Sequence, residues 1–459
     1  MSVGKQGELQ NTMWVAYDQI PKGQGHAFYD HLQRILHRGH FDAFAEKLCT
    51  PFYAKVMGRP SIPPGRYFRM LLVGYFEGLD SERGICWRCA DSLSLREFLQ
   101  LDMLQAVPDH SSLSRIRSRL PQEIHHEAFT FVLRLLSERG LLRGKKLGID
   151  ASTMEASAAM RSIVRRDTGE GYKAMLERLA KESGIATPTQ ADLVAFDRKR
   201  KGKKLSNADW ESPTDEDARI AKLKDGRTRL AHKPEHVVDL DSGAIVSAKI
   251  HLADSGDTTT IHKTLKDVRS KLKTVNKKTA PQYDRPAELV GDKGYYSRET
   301  LKQLDSAFRS RISEPKTVGL RHWNGDHDAR QAVYANRARI RSGTGKALLR
   351  KRGELVERSF SHCLDRGGMR RTYLRGSENI EKRYIIHIAG FNLGLLMRSL
   401  FGFGTPKGWA EARWVLIFAL ASDAMVISLI VFLPKDLHSD EYFATGCLLC
   451  RENDTFSPG

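Results

Sequence analysis

Three short strings, far apart in the chain, carry acids where metal chemistry could be done. Lys-Leu-Gly-Ile-Asp-Ala-Ser-Thr puts Asp150 after the apolar run Leu147 to Ile149. Glu-Leu-Val-Gly-Asp-Lys-Gly-Tyr-Tyr puts Asp292 after Leu289 and Val290, and Glu-Leu-Val-Glu-Arg-Ser-Phe carries Glu357. Short apolar runs of this kind read as buried parallel strands. Side chains at the carboxyl ends of neighbouring parallel strands converge on one rim. Two such carboxylates with a third from a helix could hold a pair of Mg²⁺ (or Mn²⁺) ions, the arrangement that cuts and joins phosphodiesters.

The third acid has a competitor. The stretch from Lys346 to Leu364 reads as a helix with Leu349, Val356, Phe360 and Cys363 on one stripe. Glu357 adjoins that stripe, and Glu354 lies three residues earlier on the same side. Two strand-end Asp residues upstream favour a metal-binding acid here over a solvated one, and Glu357 is preferred to Glu354. Beyond this helix Arg366, Arg370, Arg371 and Arg375 alternate with Gly367, Gly368 and Gly376. Glycines let a backbone approach a ligand, and arginines fork onto phosphate.

The elements that must position these groups follow from the patterning. Leu230 to Asp239 and Ala244 to Ala253 alternate as a hairpin around Asp241-Ser242-Gly243. Asp257 and Thr258 open a helix to about Leu272, a strand ends at Asp292, a helix begins near Ser297, and a short strand spans Arg311 to Ser313. Strand, insertion, hairpin, helix, strand, helix, strand and long helix is the order of an RNase H-like mixed sheet with flanking helices. Its first and fourth strands lie side by side and parallel, which would make Asp150 and Asp292 neighbours.

Upstream, residues 12 to 60 read as amphipathic helix, broken by Pro60, Pro63 and Pro64. Helices are expected at Tyr67 to Gly78, from Asp80 or Ser81 to Ala90, from Ser92 or Ser94 to Leu101, at Leu113 to Leu120 and at Ile124 to Glu138. The Leu113 helix bears Arg115, Arg117 and Arg119 behind Ser111, Ser112 and Ser114, a combination suited to phosphate contacts. Residues 155 to 227 delay the hairpin and read as a basic insertion. Its run Arg198-Lys199-Arg200-Lys201-Gly202-Lys203-Lys204 is expected to be exposed and mobile, and to contact DNA. The expected divisions are an all-α domain over 1–140, a catalytic α/β domain over 141–400 and an apolar tail over 401–459.

Composition agrees with a polyanionic partner. The chain has 459 residues, 41% of them hydrophobic, with 74 Lys and Arg against 55 Asp and Glu, a net charge of +19. Each phosphate neutralised by such a surface releases counterions. Six cysteines in this length make no disulfide scaffold, and Met1 to Asn11 is polar, so a reducing cytoplasm is expected. Cys86-Trp87-Arg88-Cys89 and Cys447-Leu448-Leu449-Cys450 have zinc-knuckle spacing, but two pairs so far apart are expected to be small buried hydrophobes. Trp414 to Leu433 is nearly all apolar, yet Asp423 interrupts it and Pro434 stops it, so a helix packed on the core, or a read-through tail of a decayed element, is expected over a membrane span.

Taken together, Pro63-Pro64-Gly65-Arg66-Tyr67, Leu93-Ser94-Leu95-Arg96-Glu97-Phe98, Pro108-Asp109-His110-Ser111, Gly148-Ile149-Asp150-Ala151-Ser152, Gly291-Asp292-Lys293-Gly294-Tyr295, Val356-Glu357-Arg358-Ser359-Phe360, Tyr373-Leu374-Arg375-Gly376 and Gly390-Phe391-Asn392-Leu393 resemble the bacterial insertion-sequence transposases of the DDE class. The resemblance runs from about Met13 to Gly408. It implies metal-dependent cleavage and strand transfer of double-stranded DNA, with Asp150, Asp292 and Glu357 as metal-binding catalytic acids. It also implies Mg²⁺ or Mn²⁺ as cofactor, no small-molecule substrate, work at the bacterial nucleoid, and a homodimer or larger assembly on DNA. Many relatives carry a Tyr-Arg-Glu-Lys signature, but here Gly353 stands at its Arg and Leu364 at its Lys. Lys293 and Arg366 are candidates for the missing phosphate contact. The departures also leave a second reading: a catalytically inactive DNA-binding remnant. A structure-specific nuclease on the same fold is a third.

Overall fold

In the computed structural model, residues 26–54, 61–102, 104–201, 206–223, 225–276, 287–305, 307–316, 322–323 and 325–410 are described. Seven helices come first: α1 (Ala27–Arg38), α2 (Phe41–Cys49), α3 (Pro64–Phe76), α4 (Glu82–Ala90), α5 (Leu93–Phe98), α6 (His110–Arg119) and α7 (Gln122–Glu138). Their starts follow local chemistry. Pro64 occupies the first position of α3, where its missing N–H costs nothing. Ser81, Ser92 and Asp109 cap α4, α5 and α6 by accepting from the backbone N–H three residues on. Between α1 and α2, His40 adopts a left-handed conformation and divides the expected helical stretch. Phe28, Phe41, Phe68, Phe98 and Phe129 pack at the centre, with Arg69 buried among them and paired to Asp42.

The chain then enters β1 (Lys146–Ala151) and β2 (Met154–Glu155). The insertion follows, comprising β3 (Val164–Arg165), α8 (Tyr172–Glu182), α9 (Gln190–Lys199), β4 (Trp210–Glu211) and β5 (Arg219–Lys222). Its two helices carry the charge its composition suggests, and it also has a packed interior. Ile163, Met175, Leu176, Ala180, Leu193, Trp210 and Leu230 enclose an apolar core of their own. The charged residues cover that core rather than replace it. The run that opens at Arg198 continues into residues 202–205, which lie outside the described set.

The main sheet continues with β6 (Thr228–Asp239) and β7 (Ile245–Leu252), then α10 (Asp257–Asn276), β8 (Glu288–Gly291), α11 (Arg298–Asp305), β9 (Arg309–Ile312), α12 (His327–Arg341), α13 (Gly343–Phe360), a π-helical turn (Ser361–Arg366) and α14 (Ser377–Phe401). Strand order across the sheet is β7, β6, β1, β8, β9, with β2 and β5 extending the two sides of the long β6. The β6 pairs with β1 and β7 are antiparallel, and the β1–β8 and β8–β9 pairs are parallel. This is the mixed α/β arrangement expected from element order. The hairpin turns at Gly243, whose φ of 83° is the left-handed value a tight turn demands. Asp239, at its foot, accepts at 2.7 Å from the N–H groups of both Arg143 and Gly144, fixing where β1 begins.

One helix ties the two regions. α14 packs on α3 and α7 on one side and β7 on the other. It is apolar enough to cross a bilayer by length and composition, and 61% of its apolar window is buried inside the protein. The chain through Pro406 forms one compact unit, with α14 as the shared core of the N-terminal helices and the sheet. Lys407 onward forms a second unit, and the apolar run Trp414 to Leu433 lies outside the described residues, as do Cys447 and Cys450.

Candidate active site

The parallel register decides which acids meet. Lys146 pairs with Glu288, Leu147 with Leu289 and Gly148 with Val290. Continuing that register by two residues sets Asp150 beside Asp292, on strands about 4.8 Å apart. Alternation then puts both acids on the face that bears Gly148 and Val290. That face is covered by α13. Leu348 packs on Val290, and a Cβ at Gly148 would lie 3.0 Å from the Arg352 side chain and 3.3 Å from Val356. Further along, His236 of β6 accepts or donates at 2.8 Å with Ser359 and stacks 4.0 Å from Phe360. So α13 crosses from β8 over β1 to β6, above the acid pair.

The pair is electrostatically tense. Burial pushes the Asp150 carboxyl above its ordinary value and the charge of Asp292 pushes the same way, while Arg352 and the Ala151 N–H pull it back. Asp150 Oδ1 accepts from Ala151 N at 2.8 Å, and Arg352 Nη1 donates to Oδ2 at 2.7 Å. Asp292 Oδ1 accepts from Lys293 N at 2.5 Å. Below the pair, buried Glu235 accepts from Thr260, Thr264 and Tyr295. Burial alone would raise this carboxyl. Contacts with His251, Thr264 and Thr260 hold it below its ordinary value instead. Tyr295 thereby anchors the turn that follows Asp292.

Glu357 is exposed. Its direction follows from its neighbours on α13. Val356 faces the sheet at Gly148, and Leu355 turns toward Gly243 and Leu240 at the amino end of β1. With about 100° between successive residues, Glu357 falls on the opposite flank, toward the carboxyl ends of the strands. Glu354 points away from the sheet and accepts from Arg358 at 2.6 Å on the surface. Among the described residues no group of three or more His, Cys, Asp or Glu stands close enough to hold a metal ion. Cys86 and Cys89 are free thiols, pushed up by burial to about 11 and about 12.

The basic candidates divide. Arg117 is a correction: it is only 8% exposed and pairs with Glu82 inside the helical region, so it faces no ligand. It sits on the buried stripe with Leu113 and Ile116, which the count of arginines concealed. Arg115 and Arg119 are exposed, the latter 4.9 Å from the Tyr53 ring. Arg198, Lys199 and Lys201 are exposed too, whereas Arg200 is half-buried against Asp197 and Tyr172. The segment after the π turn is brought to the acids. Glu155 N donates to Arg370 O and Thr372 N donates to Glu155 O, each at 2.9 Å. That lays Arg370 against the Thr153 carbonyl at 3.3 Å, three residues past Asp150. Arg371 stands 3.8 Å from Glu155, and Lys293, Arg366 and Arg375 are exposed.

Arg352 was missed by the sequence reading. Its signal was present: a charged residue four positions before Val356, on a stripe otherwise apolar, one residue before the position where the family signature has Arg.

Comparison with known families decides the class. Residues 15–119 match the family described as transposase domain (DUF772), and residues 198–393 match the transposase DDE domain. The chain belongs to the DDE transposases of insertion sequences. The two matches together span about two thirds of it; the second includes Asp292 and Glu357 and begins after Asp150. No curated protein and no solved structure matches the chain. Its function is DNA transposition, through an enzyme that cuts and joins DNA.

Proposed function

We propose that Asp150, Asp292 and Glu357 are the catalytic acids of this transposase and its ligands for Mg²⁺ or Mn²⁺, two ions in the working complex. The observation that carries this reading is the β1–β8 register, which aligns two aspartates under α13. The residues fit a hard divalent cation. Two like charges side by side, one of them desolvated, are relieved by a cation between them, and their oxygens are the donors such ions prefer. Bound there, the ions would activate water toward the phosphodiester and stabilise the departing 3′ oxygen.

The chain's own residues do the remainder. Glu357 completes the acid set from the flank of α13. Lys293 and Arg370, either side of the pair, hold the phosphates that flank the scissile bond. Arg115, Arg119, Arg198, Lys199 and Lys201 neutralise backbone phosphates further out, with Arg366, Arg371 and Arg375 lining the rim. The freed 3′-OH then attacks a target strand at the same acids. Two element ends must be held together, which calls for a homodimer or larger assembly on DNA.

The test is cleavage of duplexes carrying the DNA that borders the reading frame. Asp150→Asn, Asp292→Asn and Glu357→Gln each remove nicking and leave gel-shift affinity within about threefold, since none contacts phosphate. A variant that nicks at the wild-type rate loses its assigned role. Binding without nicking by the wild type, at any Mg²⁺ or Mn²⁺ concentration, would establish the inactive-remnant reading instead.

A further inference from the structure

Asp150 has both oxygens engaged by protein donors. Ala151 N–H holds Oδ1, and Arg352 holds Oδ2. The guanidinium arrives through only one of its nitrogens. Its Nε is buried and finds no hydrogen-bond partner, an arrangement that costs stability. Arginine's fork is made to present Nε and Nη together to two oxygens of one anion. Against Asp150 it does not do so: only Nη1 reaches the carboxylate, and Oδ1 is held by the Ala151 N–H. The contact is therefore strong in charge and poor in geometry, and a phosphate offers the better partner.

A divalent cation at Asp150 meets the same guanidinium. Arg352 and Asp150 are 13% and 25% exposed at the side chain, so water screens the repulsion between the two cations only in part. Arg352 also sits on the helix that bears Glu357. Its stem lies close over Gly148, while its head reaches Asp150 through Nη1 alone.

We propose that Arg352 is a latch: it occupies Asp150 until a DNA phosphate draws it off, so that DNA binding strengthens divalent-cation binding. This rests on the assignment of Asp150 as a metal ligand. The consequence is an ordered assembly in which cations load productively only on DNA-bound protein. In thermodynamic terms, DNA and cation become positively coupled ligands, and the coupling is reciprocal.

The experiment is Mn²⁺ titration of the full chain, followed by the electron-spin signal of free Mn²⁺, without and with a duplex bearing the DNA that borders the reading frame. Site-specific binding is the difference between wild type and D150N under each condition, which removes Mn²⁺ held by the duplex itself. In the wild type the duplex tightens Mn²⁺ about tenfold, and Mn²⁺ tightens the duplex by the same factor. R352Q binds Mn²⁺ about tenfold more tightly without DNA, and its coupling factor falls to about one. A wild-type coupling factor of one overturns the proposal without recourse to any variant. So does a coupling factor that survives in R352Q, the result expected of an ion pair that only braces the fold and whose loss lowers the melting temperature alone. If Mn²⁺ binding is Asp150-dependent yet indifferent to Arg352, the latch fails and the metal assignment stands. If it is indifferent to D150N in both conditions, the assignment fails and the latch with it.

Discussion

At the scale of single residues, the choice between two glutamates is the sharpest test. Glu354 pairs on the surface with Arg358, both side chains about half exposed, an interaction worth less than about 1 kcal/mol. Glu354→Gln should therefore nick DNA at close to the wild-type rate and keep the wild-type stability, whereas Glu357→Gln loses nicking. A plasmid-relaxation assay on the two variants reads the difference, and reversal would move the third acid to Glu354. Sequence located the two aspartates because each closes a short apolar run, a pattern that survives without knowledge of the fold. It could not orient the glutamates, because a helix carries acids on several faces. The direction comes from Val356 facing the sheet and Leu355 occupying one flank, which leaves the other flank to Glu357. Arg117 fails for the same reason in reverse: a charge count does not show which side of a helix is buried.

At the scale of elements, α13 lies so close to β1 that only glycine fits beneath it. A Cβ at Gly148 would come within 2.7 Å of Leu240 as well as 3.0 Å of Arg352. Gly148→Val should cost about 1–3 kcal/mol by overpacking, read as a lower urea midpoint. It should also depress nicking more than DNA binding, because it lifts the helix that bears Glu357. Equal losses in both would count against that placement. A second close approach lies at Gly294, where a Cβ would meet the Asp257 carboxylate at 2.0 Å. Gly294→Ala should accordingly weaken the Asp292 turn, seen as faster amide exchange there. The hairpin, α7, α10 and α13 were legible, since alternation, capping residues and stripes are local signals. α12 was not expected at all, and its apolar contacts are few and small: Ala329, Ala332 and Val333. The insertion's core was hidden too, because its apolar residues are spread thinly among charges and unite only when β3, α8, α9 and β4 fold together.

At the scale of the whole molecule, three buried histidines set the response to acid. Burial brings His125, His236 and His387 down to about 3, so each is neutral in the fold. The unfolded chain takes up protons near pH 6.5. Their contribution is thus fully present above about 6.5 and is lost as pH falls from there toward about 3. Each adds a slope of up to about 1.4 kcal/mol per pH unit. Melting temperature should fall steeply below about pH 6, and His236→Gln should flatten the fall; an unchanged slope would mean that His236 is not buried neutral. Two of these histidines bind α14 to its surroundings, His387 from within it and His236 through Tyr384. That helix, shared by the N-terminal helices and the sheet, has a consequence for damaged copies of the gene. A stop codon between Leu252 and Ser377 strips the cover from α3, α7 and β7 at once. Such products would display bare hydrophobic faces and feed proteolysis, so a shortened reading frame would leave the cell without even a passive competitor for the element's ends.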